Sequence, residues 1–209
     1  WIMSFRFEEK MRLNSTKVFE FMKWIKLNNG LELYPSRIIN SLYLDNKNFS
    51  MFDHSMEGVT PRKKLRIRTY NNNFFLNDKL NFKKELKITS VEGRFKTSEN
   101  YNNSIKNVFE GVYDHDYGLC FPVLNVLYER NYFMVNNVRV TIDKNIRYKQ
   151  VINNHISSTS IYDKFNVVEI KSGNNKQNLF NEDFPFERTR FSKYCRGIEF
   201  TNLNCCSDI

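Results

Sequence analysis

Charged and apolar side chains alternate along most of this chain with a period of two residues. Around residue 66, for example, Lys64, Arg66 and Arg68 fall on one face, while Leu65 and Ile67 fall on the other. This is the period of a β-strand, whose successive side chains point to opposite sides. The same split recurs in segments 5–13, 82–88, 94–96, 127–130, 138–143 and 168–171. The pattern predicts a mainly β fold whose strands have one apolar face and one charged, mostly cationic face.

Three segments have the helical period instead. Apolar residues recur at i, i+3, i+4 and i+7 after Asn14, which offers an N-cap oxygen, and Gly30 supplies a stop. The second segment places Phe49, Phe52 and Met56 on one face of a short helix. The expected helices lie within residues 14–30, 45–58 and 185–200. The chain is therefore predicted to be α+β with helices in the minority.

Composition limits the class of protein. The chain has 209 residues, a formal net charge of +9 and 41% hydrophobic residues, which is enough for a folded core and excludes a disordered tail. No repeat or Pro/Gly-rich hinge divides it, so we predict a single domain over residues 1–209. The four cysteines form neither a CxxC motif nor a disulfide framework, and we find no membrane-length apolar stretch and no secretory signal. A cytoplasmic location is expected.

The charged strand faces allow two interpretations. They could be the solvated outer face of an antiparallel sheet. Alternatively, the helices cover the apolar faces, and the charged faces then look inward. Two like charges about 6–8 Å apart repel by roughly 2–3 kcal/mol at an effective dielectric constant near 20, so an inward face needs water, counter-charges such as Glu8, Glu85 and Glu169, or a bound polyanion. The arginine guanidinium can donate two parallel hydrogen bonds to a pair of phosphate oxygens, which favours a site for a phosphate chain.

Several motifs, taken in order, carry a family resemblance. They are Ser41–Asp45, Gly58–Tyr70, 83–87, 94–96, 128–130, 139–143, 168–171 and 190–194. Together they resemble the polymerase domain of the vacuolar transporter chaperone (VTC) family, a branch of the triphosphate tunnel metalloenzymes. Each motif alone is weak, but the ordered set covers the chain from Arg6 to Gly197.

The resemblance implies an antiparallel β-barrel of about eight strands that forms a tunnel, with flanking helices. It also implies binding of ATP and inorganic polyphosphate, and transfer of the γ-phosphoryl group to the growing chain with Mg²⁺ or Mn²⁺. The attacking terminal phosphate is already anionic near neutral pH, since its last pKa is about 6 by analogy with phosphate monoesters. No general base is then needed.

The resemblance also implies roles for individual residues. The cations expected to act on the transferring group are Arg66, Arg68, Lys87, Arg130 and Arg139. The expected substrate or phosphate contacts are Lys10, Lys64, Lys96, Tyr128, Lys171, Arg190, Ser192 and Lys193. The expected metal ligands are Glu169 and Glu8.

Some of these assignments have alternatives. Glu169 could balance Lys171 or an inward-facing arginine instead of binding a metal, and Glu8 could equally be a counter-ion. Ser192 and Lys193 could simply form the first turn of a helix. The first of two glutamates common in the wider superfamily is replaced by Arg6, which favours a single-metal polymerase over a two-metal triphosphatase. Arg190 stands where relatives often carry lysine.

The same residues are compatible with other functions. A triphosphate-hydrolysing enzyme (an inorganic triphosphatase or NTPase) and a non-catalytic polyphosphate-binding module share the fold and the cations. Nucleic-acid binding fits a pI near 9.3, but Phe82 and Phe95 lie opposite the cationic face, so bases could not stack there. No nucleic-acid partner is therefore expected. The chain is not expected to insert into a membrane, and action at a membrane would require a partner protein.

Overall fold

The structure, a computed structural model, describes residues 7–72, 74, 81–172 and 184–203. Phe5 and Arg6 of the first predicted strand lie outside these residues, as do Cys205 and Cys206. The helices are α1 (Ser15–Leu27), α2 (Ser50–Glu57), α3 (Lys193–Leu203) and a 3₁₀ helix (Ile105–Glu110). The strands are β1 (Phe7–Leu13), β2 (Leu31–Asp45), β3 (Arg62–Thr69), β4 (Phe82–Thr89), β5 (Arg94–Tyr101), β6 (Val112–Asp114), β7 (Gly118–Val135), β8 (Val138–Ile152), β9 (His155–Ile156), β10 (Ile161–Tyr162) and β11 (Asn166–Ser172).

The strands form one sheet in the order β1-β11-β8-β7-β2-β3-β4-β5, with β6 beside β7, and β9 and β10 beside β8. The pairings β1–β11, β11–β8, β2–β3, β3–β4 and β4–β5 are antiparallel. The prediction of a mainly antiparallel β fold with few helices is confirmed. The described strands number eleven, of which eight form the continuous path.

The chain folds into two compact units. Unit 1 comprises Trp1–Arg37, Tyr128–Ile146 and Tyr162–Phe191. Unit 2 comprises Ile38–Leu127, Arg147–Ile161 and Ser192–Ile209. In the part of the chain that the structure describes, no helix is long and apolar enough to cross a membrane.

The core of unit 1 lies between α1 and the apolar strand faces. The Asn14 side chain caps α1 by accepting a hydrogen bond from the Lys17 N–H (2.8 Å), as the sequence predicts. The buried side chains of this core are Met11, Leu13, Val18, Phe21, Ile25, Phe133, Val135, Val138, Val140, Ile142, Val168, Ile170 and Phe186. Because α1 covers the apolar face of β1, β8 and β11, the charged face of these strands lies on the other side of the sheet.

The second helix lies where it was predicted, but the prediction of its buried face was wrong. α2 ends at Gly58 as expected, yet Met51 is buried whereas Met56 is 44% exposed. The carboxylate of Asp45 accepts hydrogen bonds from the backbone N–H groups of Met51 (3.0 Å) and Phe52 (2.9 Å). These two bonds set the rotation of α2 about its axis, and a search for apolar periodicity cannot detect them.

The third helix begins later than predicted. α3 starts at Lys193, and Ser192 Oγ accepts a hydrogen bond from the Cys195 N–H (3.3 Å), which makes Ser192 its N-cap. Residues 184–192 are not helical. The Thr189 N–H instead donates to the Lys10 carbonyl at 2.7 Å. The helical prediction was wrong for residues 185–192 because this segment hydrogen-bonds to a strand that is distant in sequence.

Candidate functional site

Strand register gathers most of the predicted cations of unit 2 on one face. Lys64 pairs with Lys87, and Lys87 pairs with Lys96, so the three lysines form a row across β3, β4 and β5. In the next row Arg66 pairs with Tyr43 on one side and with Glu85 on the other. Directly paired residues share a face of a sheet. We call this surface, which also carries Arg68 and Lys83, the unit 2 charged face.

Glu85 holds three of these cations. Its Oε2 accepts from Arg66 Nε (2.8 Å) and Nη2 (2.7 Å) and lies 3.3 Å from Arg68 Nη1. Its Oε1 accepts from Lys96 Nζ at 2.7 Å. Burial opposes ionisation of Glu85, but the charges of Arg66 and Arg68 outweigh it and lower its pKa to about 2. The Glu85 carboxylate of the folded protein is therefore ionised at neutral pH.

Tyr43 fixes Arg66 from the other side. Arg66 Nη1 donates to the Tyr43 hydroxyl at 2.9 Å, and the Tyr43 ring stacks on Tyr194 with centroids 5.2 Å apart. Burial raises the pKa of the phenol, but Arg66, Arg68 and Lys193 outweigh burial and lower it to about 8. Sequence analysis gave Tyr43 no role, and its contact with Arg66 makes it part of the site.

The first turn of α3 lies at the same face. Lys64 Nζ donates to Ser192 Oγ at 2.8 Å, and the Tyr194 hydroxyl donates to the buried carboxylate of Asp45. Ser192 therefore has a structural task as helix cap, one position before the first turn in which the alternative interpretation placed it. A helix N-terminus with two lysines nearby, Lys64 and Lys193, also favours an anion, so capping and phosphate binding are compatible there.

Unit 1 has a second charged face on β1, β11 and β8. Glu8 pairs with Lys171, which pairs with Arg139, and Lys10 pairs with Glu169. Lys171 Nζ lies 2.7 Å from Glu169 Oε1. Burial opposes ionisation of Glu169, yet Lys10, Lys171 and the nearby Arg130 hold its pKa well below the usual range. Glu169 is thus an anion among cations.

Arg130 is oriented by a buried carboxylate. Its Nε and Nη2 donate to Asp143 Oδ1 (2.6 Å) and Oδ2 (2.8 Å), and its guanidinium lies 5.3 Å from the centroid of the Tyr128 ring. Sequence analysis missed the role of Asp143, although a signal was present. Asn136 and Asn137 form a two-residue turn with φ of 46° and 63°, a turn that places Arg130 opposite Asp143 in the hairpin.

The burial of four charged side chains argues against fully solvated charged faces. Arg68, Glu85, Asp143 and Glu169 are at most 7% exposed, whereas a solvated outer face keeps its charges in water. The structure brings together, in unit 2, Lys64, Arg66, Arg68, Lys87, Lys96, Ser192 and Lys193. In unit 1 it brings together Glu8, Lys10, Tyr128, Arg130, Arg139, Glu169 and Lys171. Arg190 belongs to neither set of strand positions and is exposed in the segment before α3.

Two carboxylates among the described residues, Glu8 and Glu169, are the candidate donors for a metal ion. Among the described residues, no group of three or more His, Cys, Asp or Glu side chains could hold a metal. Glu8 and Glu169 lie close enough to hydrogen-bond. Mg²⁺ and Mn²⁺ sites at phosphates commonly use one or two protein carboxylates, with phosphate and water oxygens as the other ligands. This pair fits such an ion.

Stability in acid tests the contacts of Glu85 with Arg66, Arg68 and Lys96. The folded-state pKa of Glu85 is about 2 against an ordinary 4.5, so its stabilisation is complete above pH 4.5 and is lost as the pH falls toward 2. Between pH 5 and pH 3, the wild type is expected to lose about 2 kcal/mol more unfolding free energy than Glu85→Gln. Urea titrations measure the difference, with Glu99→Gln as the control. If the wild type and Glu85→Gln lost equal amounts of unfolding free energy, the ion pairs of Glu85 would not stabilise the fold.

Comparisons with known proteins agree with this architecture. A family model described as the VTC domain matches residues 5–202. Solved structures of 35 chains match significantly. One is the crystal structure of a candidate adenylate cyclase from Vibrio parahaemolyticus, with 13% sequence identity, coverage of 95% of this chain and 99% of that chain, and a TM-score of 0.54. This likeness shows a shared fold. No curated protein matches the sequence significantly.

Proposed function

Because the chain belongs to the VTC domain family, we propose that it is an ATP-dependent polyphosphate polymerase, which transfers the γ-phosphoryl group of ATP to a growing inorganic polyphosphate chain. The observation that supports this most is the row of Lys64, Lys87 and Lys96 beside Arg66 and Arg68. Cations repeated along neighbouring strands match a ligand whose charges are also repeated. A single phosphate would not need such a row.

The cations have two tasks in the proposed reaction. Lysines are compact point charges that can hold successive phosphates without fixing one orientation. Arginines offer planar pairs of N–H donors, which suit the equatorial oxygens of the transferring group. We assign the first task to Lys10, Lys64, Lys87, Lys96, Lys171 and Lys193. We assign the second task to Arg66, Arg68, Arg130 and Arg139.

The arginines differ in how rigidly they are held. Arg66 lies between Glu85 and Tyr43, and Arg130 is held by two hydrogen bonds to Asp143. Donors that are already oriented need no reorganisation when charge develops in the transition state. Arg139 instead lies 5.5 Å from the centroid of the Tyr132 ring and is exposed. Arg66 and Arg130 are therefore the strongest candidates to stabilise the transferring group.

A divalent cation would be held by Glu169 and Glu8. When bound, it supplies charge neutralisation and orientation of the nucleotide phosphates. The chain's own residues supply the rest: cations bind both phosphate substrates, and the arginines orient the group that moves. No side chain is needed to remove a proton, because the attacking terminal phosphate is already anionic near neutral pH.

Incubation of the purified protein with ATP and Mn²⁺ or Mg²⁺ tests the proposal. The expected products are ADP and a phosphate polymer that a polyphosphate-specific phosphatase digests. Orthophosphate without polymer would instead identify a triphosphate-hydrolysing enzyme. Binding of tripolyphosphate without any turnover of ATP would identify a polyphosphate-binding module.

A further inference from the structure

Glu85 occupies an unusual position on the unit 2 charged face. Among the described residues of β3, β4 and β5, it is the only carboxylate on that side of the sheet. The cationic residues on the same side are Arg62, Lys64, Arg66, Arg68, Lys83, Lys87, Arg94 and Lys96. One acidic side chain thus stands within a large excess of positive charge and contacts three of those cations directly.

We propose that Glu85 is a built-in competitor of phosphate, which occupies donors of Arg66, Arg68 and Lys96 and thereby limits the affinity of this face for polyphosphate. A carboxylate and a phosphate present similar oxygen acceptors to guanidinium and ammonium groups. A phosphate that reaches these cations must share them with Glu85 or displace it. The affinity measured for phosphate is then the difference between two favourable interactions.

This inference rests on the proposed function for its consequence in turnover. A polymerase must bind its product strongly enough to retain it but weakly enough to let it advance after each addition. A face of cations without a counter-charge would bind a polyanion too tightly for that movement. Glu85 also holds the Arg66 guanidinium through two nitrogen atoms, so it is a positioning residue for Arg66 as well as a competitor.

Glu85→Gln separates these effects because it keeps the shape of the side chain and removes its charge. Isothermal titration calorimetry with tripolyphosphate, without metal or ATP, is expected to show about tenfold tighter binding to Glu85→Gln than to the wild type. Glu99→Gln is the matched control, since Glu99 pairs with Lys84 at 3.0 Å and is exposed. Its affinity is expected to stay within about twofold of the wild type. Unchanged or weaker binding to Glu85→Gln would overturn the proposal.

Turnover provides a second readout that a purely structural role would not produce. Glu85→Gln is expected to lower kcat about tenfold, because Arg66 loses its fixed position. KM for the phosphate substrates is expected to fall, because the competing carboxylate is gone and binding tightens. A residue that merely supports the fold would lower kcat and raise KM, or reduce the amount of folded protein. A fall in kcat with KM unchanged or raised would contradict the competitor role.

Folding of the variant can itself be used as a measurement. Without Glu85 the neighbouring cations repel one another, and a polyanion can replace the missing charge. Tripolyphosphate is therefore expected to raise the thermal unfolding midpoint of Glu85→Gln more than that of the wild type, or to restore folding if the variant does not fold alone. An equal or smaller effect on Glu85→Gln would overturn the proposal.

The binding and melting experiments need no catalysis, which separates the two proposals. A wild-type protein that binds tripolyphosphate but makes no polymer would refute the polymerase, and the comparison with Glu85→Gln would still decide the role of Glu85. A wild-type protein that does not bind tripolyphosphate would refute both.

Discussion

Replacing Arg66 by alanine is expected to lower the rate of ATP-dependent polyphosphate synthesis by about 10²- to 10³-fold, the usual effect of removing one oriented donor from a transferring group. Arg66 carries this expectation because Glu85 and Tyr43 hold its guanidinium through all three of its nitrogen atoms. The loss should appear in kcat more than in KM, since the lysine row remains available to bind substrate. Initial rates at saturating ATP measure it.

The control for this variant is Arg37→Ala, which removes an exposed arginine that lies 5.5 Å from the centroid of the Tyr34 ring. It is expected to leave synthesis within about twofold of the wild type, as surface substitutions usually do. If Arg66→Ala also stayed within a few-fold of the wild type, Arg66 would have no part in phosphoryl transfer.

A spectroscopic change should accompany the loss. In the wild type the pKa of Tyr43 is about 8, since Arg66 and Arg68 outweigh the opposing effect of burial. Without Arg66 the phenol loses its strongest cationic neighbour, and its pKa should rise. Absorbance titration near 295 nm would then show that the tyrosinate signal at about pH 8 is absent from Arg66→Ala and from Tyr43→Phe. This readout does not depend on catalysis.

The sequence predicted the strands and their faces well because period two is a local property. Leu65, Ile67, Val140 and Ile142 are buried as expected. The opposite faces were predicted to be cationic, but alternation does not determine whether they face solvent or the interior. The deciding fact was the burial of charged residues such as Glu85 on those faces. Burial depends on elements that are distant in sequence, so alternation alone could not supply it.

The partners of each charge were less predictable. Arg66 meets Glu85 because β3 and β4 pair in one particular register, and the long connection between these strands does not set that register. The partnership of Arg130 with Asp143 is different, since a two-residue turn joins their strands and fixes which residues face each other. The contact between Arg130 and Asp143 could therefore be predicted from the sequence, whereas the contacts of Glu85 with its cations could not.

The late start of α3 has the same kind of cause. Ser192 caps the helix, and the Lys64 ammonium donates to the same hydroxyl oxygen. Apolar periodicity identifies the helix, but it gives no information about the strand lysine, Lys64, that contacts the start of the helix. The family resemblance led to the prediction that Ser192 and Lys193 contact phosphate, but it did not predict that Ser192 caps the helix.

The second large effect is expected from Glu169→Gln, which should lower metal-dependent polyphosphate synthesis by about 10²-fold or more, because the substitution removes one of the two carboxylates proposed to hold the metal ion. Glu20→Gln is the matched control, since Glu20 is exposed on α1 and pairs with Lys17 at 3.4 Å. It is expected to retain wild-type activity and wild-type dependence on Mn²⁺ concentration.

Metal titration separates the two roles considered for Glu169. If it binds the metal, Glu169→Gln needs a higher Mn²⁺ concentration for half-maximal rate and binds Mn²⁺ more weakly in the presence of tripolyphosphate. If it only balances Lys171 and Lys10, the Mn²⁺ dependence stays unchanged and metal-free tripolyphosphate binding becomes tighter, as proposed for Glu85→Gln. Glu169 and Glu85 are both buried carboxylates among cations, and opposite outcomes in this pair of titrations would show that one serves the metal and the other limits the affinity for phosphate.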